Sequence, residues 1–378
     1  MPQLSRGVDG ESAVNHPAKV RALVLCPAPE GRSPGQRFRF EQYLGVLGAA
    51  GIDVEVAPFL DPATSTILYA SGSNFSKMAG VLVGFFHRLR LASRFGDYDR
   101  IFIFREAAPL GPPIIEWLAF RSRKPVVYDF DDAIFIRNVS KANRLIGWLK
   151  FPSKVRYITC RSELVMVCND YLREWANELN GNAVIVPTTI DLDYHRSSRD
   201  RSQPADRPVV GWTGSHSTAP YLDLIRPALR ELERRREFEF RVICDKDPGF
   251  PELKNYRFVP WRLETEIADL DMFDIGVMPV PDGPWQRGKV GFKAIQYGAM
   301  EMPAVVSATG AGGDVVRHGV TGLVVENSAD AWCHALERLI ADSGRAAQMG
   351  REARLHVAAS YSTAAQAGAY INAFSGLR

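Results

Sequence analysis

The chain has 378 residues, a formal net charge of +3, and 46% hydrophobic and 24% charged residues. This is a globular composition, excluding a disordered chain, and the length exceeds what a single core usually reaches, so two domains are expected. The five cysteines, Cys26, Cys160, Cys168, Cys244 and Cys333, are odd in number and lack a CxxC pair, which argues against a disulfide framework or zinc site and for a reducing, cytoplasmic compartment.

The polar opening, "MPQLSRGVDGESAVNHPAKVR", has no apolar h-region, so residues 1–18 read as a disordered tail rather than a secretory signal. From residue 19, short apolar runs rich in β-branched residues alternate with helical patterns. The runs are Val20–Cys26, Ile52–Ala57, Arg100–Arg105, Pro125–Phe130, Leu164–Cys168 and Ala183–Pro187. Such alternation predicts βα units on a parallel sheet, here a first domain over 19–195. After the first run, "PEGRSPGQRFRFEQYL" is a basic, glycine-containing segment that leads into a helix. The longest apolar run, Met78 to Phe86, stops at His87 and Arg88, far short of the roughly 20 residues that cross a bilayer. Lys77 to Arg161 holds 16 Lys or Arg against 7 Asp or Glu. One reading is a basic face for an anionic acceptor or for peripheral contact with the inner face of an anionic membrane. The other is a set of solvated charges that share a sign. No nucleic-acid partner is expected, because the excess is not interleaved with aromatics. "VVYDFDDAIF" ends a strand in Asp129, Asp131 and Asp132. Carboxylates this close raise one another's pKa, so one is a candidate base toward an acceptor hydroxyl; cation binding and simple capping are the alternatives. Arg105 and Glu106 end the preceding strand and are expected to line the same cleft.

A polar, proline-containing segment over 196–207, "RSSRDRSQPADR", reads as a linker. The strand pattern then restarts with Pro208–Trp212, Phe238–Cys244, Tyr256–Trp261, Phe273–Pro279, Ala304–Ser307 and Thr321–Val325, marking a second domain over 208–357. In "VVGWTGSHSTAPYL" a buried strand ends in Gly211 to Ser215, which includes Gly214, His216 sits inside the loop, and Ser217 or Thr218 is expected to cap a helix. Glycine admits close backbone approach and the helix start favours an anion, so this turn is a candidate phosphate cradle. A plain capped turn is the competing reading. In "VPDGPWQRGKVGFKAIQYGAMEMPAVVSATGAGG" a helix is expected from about Lys289, with Lys289, Lys293, Gln296 and Met300 on one stripe of an otherwise apolar surface. A buried face accepts cations only where an anion meets them, which points to a diphosphate; an exposed lysine pair is the alternative. Gly312 and Gly313 add a glycine-rich turn after the next strand. No GxGxxG, nucleophile elbow or Cys–His pairing is present, which sets dehydrogenases and hydrolases aside.

Read in order, "GWTGSHSTAPYL", "FDIGVMPVPDGPWQRGKVGFKAIQYGAMEMPAVVS" and "GGDVVRHGVTGLVV" resemble the nucleotide-sugar glycosyltransferases of the GT-B fold, especially the retaining bacterial group 1 family. The resemblance covers about Arg207 to Tyr361. It implies two Rossmann-like domains facing across a cleft, with donor on the second and acceptor on the first, and no metal or other cofactor required. It further implies transfer of a glycosyl unit from a nucleoside diphosphate sugar to a glycan, lipid-linked or small-molecule acceptor in bacterial glycan, polysaccharide or glycolipid synthesis. By the same resemblance Gly35 lies near the donor phosphates, with Arg37 or Arg39 available for a negative group. Gln296 stands where the family binds a ribose hydroxyl with glutamate, and Gly288 where it touches the sugar with another. Gly214, Ser215, His216, Ser217 and Thr218 replace the usual Arg and Lys, sharing the diphosphate with Lys289 and Lys293. Residues 358–378 are expected to form a helix crossing back to the first domain. A nucleotide-sugar epimerase and an inactive nucleotide-sugar-binding protein are the rival readings.

Overall fold

The computed structural model describes residues 19–68, 74–136, 151–201, 206–310 and 312–376. The opening tail of the sequence reading therefore lies outside the described residues, as do positions 202–205 of the expected linker. Among the described residues no helix is long and apolar enough to cross a membrane.

Twelve strands among the described residues build two parallel sheets of six. The first contains β1 (Val20–Cys26), β2 (Ile52–Pro58), β3 (Arg100–Phe104), β4 (Val126–Phe130), β5 (Leu164–Val167) and β6 (Ala183–Ile185), in the order β2-β1-β3-β4-β5-β6. The second contains β7 (Val209–Thr213), β8 (Glu239–Cys244), β9 (Tyr256–Pro260), β10 (Ile275–Met278), β11 (Ala304–Ser307) and β12 (Gly322–Val325), in the order β12-β11-β10-β7-β8-β9. Every residue of β4, β7, β10 and β11 is buried, because helices cover both faces of each sheet and leave a parallel strand no solvent side. The α/β class with two doubly wound sheets agrees with the alternation in the sequence.

Strand order reverses between β1 and β3 in the first sheet and between β7 and β10 in the second. At such points the following loops part and leave a crevice beyond the carboxyl ends. Two connections fix the sheets to each other. The Thr363–Ser375 helix lies on the first sheet, with Tyr370 stacked on Tyr43 at 3.9 Å and Phe374 stacked on Phe102 at 4.7 Å. The described part of the segment read as a linker is a strap rather than a free tether. Ser197 Oγ and Ser198 N donate to the Asp271 carboxylate at 2.6 and 2.9 Å, and Arg201 Nη2 reaches it at 2.9 Å. Its serines and arginines, which look like linker composition, are the donors that satisfy a buried carboxylate.

Candidate active site

A cavity of about 280 Å³ lies between the carboxyl ends of the two sheets. The first domain contributes Pro34, Gly35, Phe38, Arg105, Asp131 and Asp132, and the second contributes Trp212, Thr218, Tyr221, Gln286, Lys289 and Lys293.

On the first-domain wall, Arg105 directly follows β3 and has a positive φ of 56°. A side chain in that left-handed region costs about 1–2 kcal/mol. Two bonds hold it there: Arg105 N donates to Asp129 O at 2.7 Å, and Tyr128 Oη donates to Arg105 O at 2.9 Å. The guanidinium is thereby aimed at two carboxylates, with Nε 2.6 Å from Asp131 Oδ1 and Nη2 2.9 Å from Asp132 Oδ2. A Cβ on Gly35 would stand 3.0 Å from Asp131 Oδ2 and 3.2 Å from Arg105 Nη2, so glycine lets the first loop lie against this pair. The two aspartates diverge. Burial alone would raise Asp131, but the Arg105 charge and hydrogen bond outweigh it and hold the carboxyl below its ordinary range. For Asp132 burial prevails over Arg105 and Lys289, and its pKa is raised.

On the opposite wall, Lys289 Nζ stands 3.7 Å from Asp132 Oδ1 across the domain boundary. Lys293 Nζ lies 5.4 Å from the Trp212 ring centroid, a cation–π contact, and no carboxylate pairs with it among the described residues. Burial, and then the Lys289 charge, push its pKa down to about 8. A Cβ on Gly214 would meet the Trp212 ring at 2.6 Å and Lys293 Cε at 3.0 Å. Glycine there is the space that the lysine stem and the indole occupy.

Several sequence expectations place differently. The helix expected from Lys289 runs over Phe292–Ala299, and a short turn of helix, Pro284–Arg287, precedes it. Gly288 and Gly291 bracket Lys289, so the two lysines reach the cavity from a turn and a helix rather than from one stripe. Gln296 is buried further along and does not line the cavity. Neither Ser217 nor Thr218 caps a helix with its side chain. Thr218 Oγ1 donates to Ser215 O at 3.2 Å, and the segment that follows, Ala219–Leu224, is a short 3₁₀ turn. Its dipole is correspondingly small. Ser215 and Ser217 share a 2.8 Å hydroxyl contact at the exposed rim, and His216 N donates to Asp245 Oδ1 at 2.6 Å. Asp129 is fully buried with both oxygens taken by Arg39, so it sits behind the cleft. Arg37 turns away to Glu266, 3.7 Å across the domain boundary. Glu106 is not among the cavity-lining residues, nor are Gly214 and Gly313, whereas Gly312 is.

The structure also brings in residues that the sequence reading passed over. Phe38 meets Phe292 across the boundary with ring centroids 4.2 Å apart, and Gln286 Nε2 donates to Tyr221 Oη at 3.3 Å. Trp212 forms part of the wall from the end of a buried strand. An apolar residue at a strand end carries no signal that separates wall from core.

Residues 207–342 match the family described as glycosyl transferases group 1. No curated protein matches the chain in sequence. Among solved structures it is similar to a sucrose-phosphate synthase from Thermosynechococcus elongatus, at 16% identity over 95% of this chain and 99% of that one, with a TM-score of 0.69. It is similar to HepE from Anabaena, solved in complex with UDP and glucose, at 15% identity over 95% and 100% of the two chains, TM-score 0.65. A glycosyltransferase from Rickettsia africae is similar at 13% identity over 95% and 98%, TM-score 0.67. At these identities the likeness is one of fold, and the fold is GT-B.

Proposed function

We propose that the chain is a glycosyltransferase that moves a sugar from a nucleoside diphosphate sugar to an acceptor hydroxyl in the cleft between its two sheets. The observation that carries the reading is Lys293, a half-buried lysine that lines the cavity beside a second lysine, with no carboxylate of its own among the described residues. Burying a cation without an anion is costly, and a diphosphate arriving between Lys289 and Lys293 removes that cost. The departing diphosphate gains negative charge as the glycosidic bond breaks, so cations fixed beside it favour the transition state over the ground state.

Thr218 and the backbone at Gly35 and Gly312 complete the donor wall, while Ser215, His216 and Ser217 serve from the rim. Asp132 acts as base toward the acceptor hydroxyl, since its raised pKa suits proton transfer near neutrality better than that of Asp131. Arg105 positions both carboxylates. Lys289 links the two halves, pairing with Asp132 until phosphate oxygens compete for it. Retention of the anomeric configuration and a role in bacterial glycan, polysaccharide or glycolipid synthesis belong to the same reading, supported by the family match over 207–342. The nucleotide to try first is UDP, because the similar HepE is solved with UDP and with UDP-glucose.

The test is a thermal-shift series with UDP, GDP, ADP, TDP and CMP. A ligand that binds only the folded chain adds about 2.7 kcal/mol at a hundredfold excess over its Kd. One diphosphate should therefore raise the melting temperature by several degrees, and its sugar conjugate should then transfer to an acceptor with release of free nucleotide. If none of the diphosphates shifts the transition, the cleft is not a donor site. NMR of the product's anomeric proton decides retention.

A further inference from the structure

The helix Asn74–Ala92, between β2 and β3, has an apolar outer face that nothing among the described residues covers. Phe75, Met78, Leu82, Phe86 and Leu89 recur at helical spacing and are 79%, 57%, 62%, 66% and 51% exposed. The opposite side is the one that packs. A Cβ on Gly80 would meet Thr64 and one on Gly84 would meet Phe59, while Arg88 is buried and donates to the carbonyls of Cys26, Ala57 and Ala107 at 2.7–2.9 Å. Val81, Phe85 and Leu91 on that side also pack against the first-domain core, Phe85 with its ring centroid 5.1 Å from that of Phe59, so the helix is apolar on its buried side and again on its outward one, where an ordinary surface helix is polar. The neighbouring helix Ile114–Arg121 adds Ile114 and Trp117, 51% and 46% exposed, so the apolar surface continues across two elements. A patch of this kind marks an interaction face.

Charge identifies the occupant. The Asn74–Ala92 helix contains no Asp or Glu, and the acid of the Ile114–Arg121 helix, Glu116, is fully buried beside Lys154. The exposed cations on these two helices and just beyond the second are Arg90, Arg121 and Arg123, with Arg121 stacked over Trp117 at 5.0 Å. In a two-fold dimer through this face the patch would meet itself and set these cations against their own copies. An anionic bilayer presents the complementary surface: acyl chains for the aromatic and aliphatic side chains, phosphate for the arginines, and an interfacial depth suited to tryptophan.

We propose that this face docks on an anionic lipid bilayer, with the Asn74–Ala92 helix lying in the plane of the headgroups. The helix returns from the carboxyl end of β2 to the start of β3, so Phe75 and Met78 stand toward the cleft end of the sheet. Ile114 and Trp117, just beyond β3, stand toward that end too. Docking thus brings the first-domain side of the cavity close to the lipid surface. The inference does not depend on the transferase reading, because its readout is binding to lipid.

Sedimentation with sucrose-loaded vesicles tests it, using pure phosphatidylcholine and an equal mixture of phosphatidylcholine and phosphatidylglycerol. The full chain should pellet with the mixed vesicles at low salt and much less with the neutral ones. Leu82→Ser with Phe86→Ser should lower the bound fraction about tenfold or more at either salt concentration. Arg90→Glu with Arg121→Glu should abolish the preference for anionic vesicles. All four side chains are exposed, and unchanged melting temperatures will confirm that the variants fold. Equal pelleting of variant and parent overturns the proposal, as does absence of parent binding to mixed vesicles. A dimer in analytical ultracentrifugation that the Leu82/Phe86 variant dissociates, without vesicle binding, assigns the face to a second copy instead.

Discussion

Lys293 makes a prediction with two opposed signs. In the unfolded chain it titrates as an ordinary lysine near 10.5, whereas in the fold burial and Lys289 push it down to about 8. Below pH 8 both states hold the proton and the folded chain bears the full cost of a desolvated ammonium. Between about 8 and 10.5 the unfolded chain binds a proton that the folded chain does not, so the site's penalty fades as pH rises. Lys293→Met should therefore stabilise the ligand-free protein at pH 7 by about 2 kcal/mol, with the gain shrinking toward pH 10. The same substitution should weaken nucleoside diphosphate binding at least about tenfold at pH 7 while leaving nucleoside binding nearly unchanged, since one lost charge-assisted contact is worth about 1.5–3 kcal/mol. For the parent protein, diphosphate affinity should fall above pH 8 as the ammonium deprotonates. Urea unfolding against pH and calorimetric titration check these signs; a destabilised Met variant would mean that Lys293 meets an anion already present in the fold.

At the scale of elements, the strands were the most legible part. The inner strands, buried on both faces, have to be short apolar runs rich in β-branched residues, the edge strands β2, β6 and β9 are less buried but equally short, and all such runs stop where turn residues begin; the sequence pattern places all twelve within one or two residues at either end. Helix starts were harder to place, because Gly288 and Gly291 permit either a helix or a turn around Lys289, and packing against the other domain decides. The strap was not legible. Asp271 and the Ser197–Arg201 donors are some 70 residues apart, so nothing local in the polar segment told it from a tether. The run Met78 to Phe86 was correctly read as too short to span a bilayer, yet its outward face depends on which side of the helix Gly80 and Gly84 open to packing. The Thr363–Ser375 helix carries the element-scale prediction. Its aromatic contacts are with Tyr43 and Phe102 of the first domain, and Phe374 is buried among them. Phe374→Ala should cost about 3–5 kcal/mol, and hydrogen exchange should quicken in β1 and β3 while β8 and β9 stay protected. Loss spread evenly over both sheets would show that the helix does not selectively hold the first.

The whole molecule depends on how close the two domains come. At the cleft floor Gly288 lies so near the first domain that a Cβ there would stand 2.6 Å from Ala133 Cβ and 2.8 Å from Ala133 N. Asn169 Nδ2 donates to Arg287 O at 3.0 Å beside it, and Trp285 and Val290 pack against the first-domain core. This contact holds Lys289 within 3.7 Å of Asp132, so the cations proposed for the donor and the carboxylate proposed for the acceptor share one frame only while the floor is closed. Backbone at Ala133 cannot swing aside as a side-chain tip does, so any side chain at 288 has to part the domains. Gly288→Val should thus leave each sheet folded, shifting the melting temperature by only a few degrees, yet raise the radius of gyration seen by small-angle scattering. A displacement of about 1 Å between reacting groups costs up to a hundredfold in rate. Transfer should fall by about that factor, whereas nucleotide binding, for which both proposed lysines stand on the second domain, should fall far less. Full activity in the valine variant would mean that productive geometry is reached with the floor open, and that the Lys289–Asp132 pairing plays no part in catalysis.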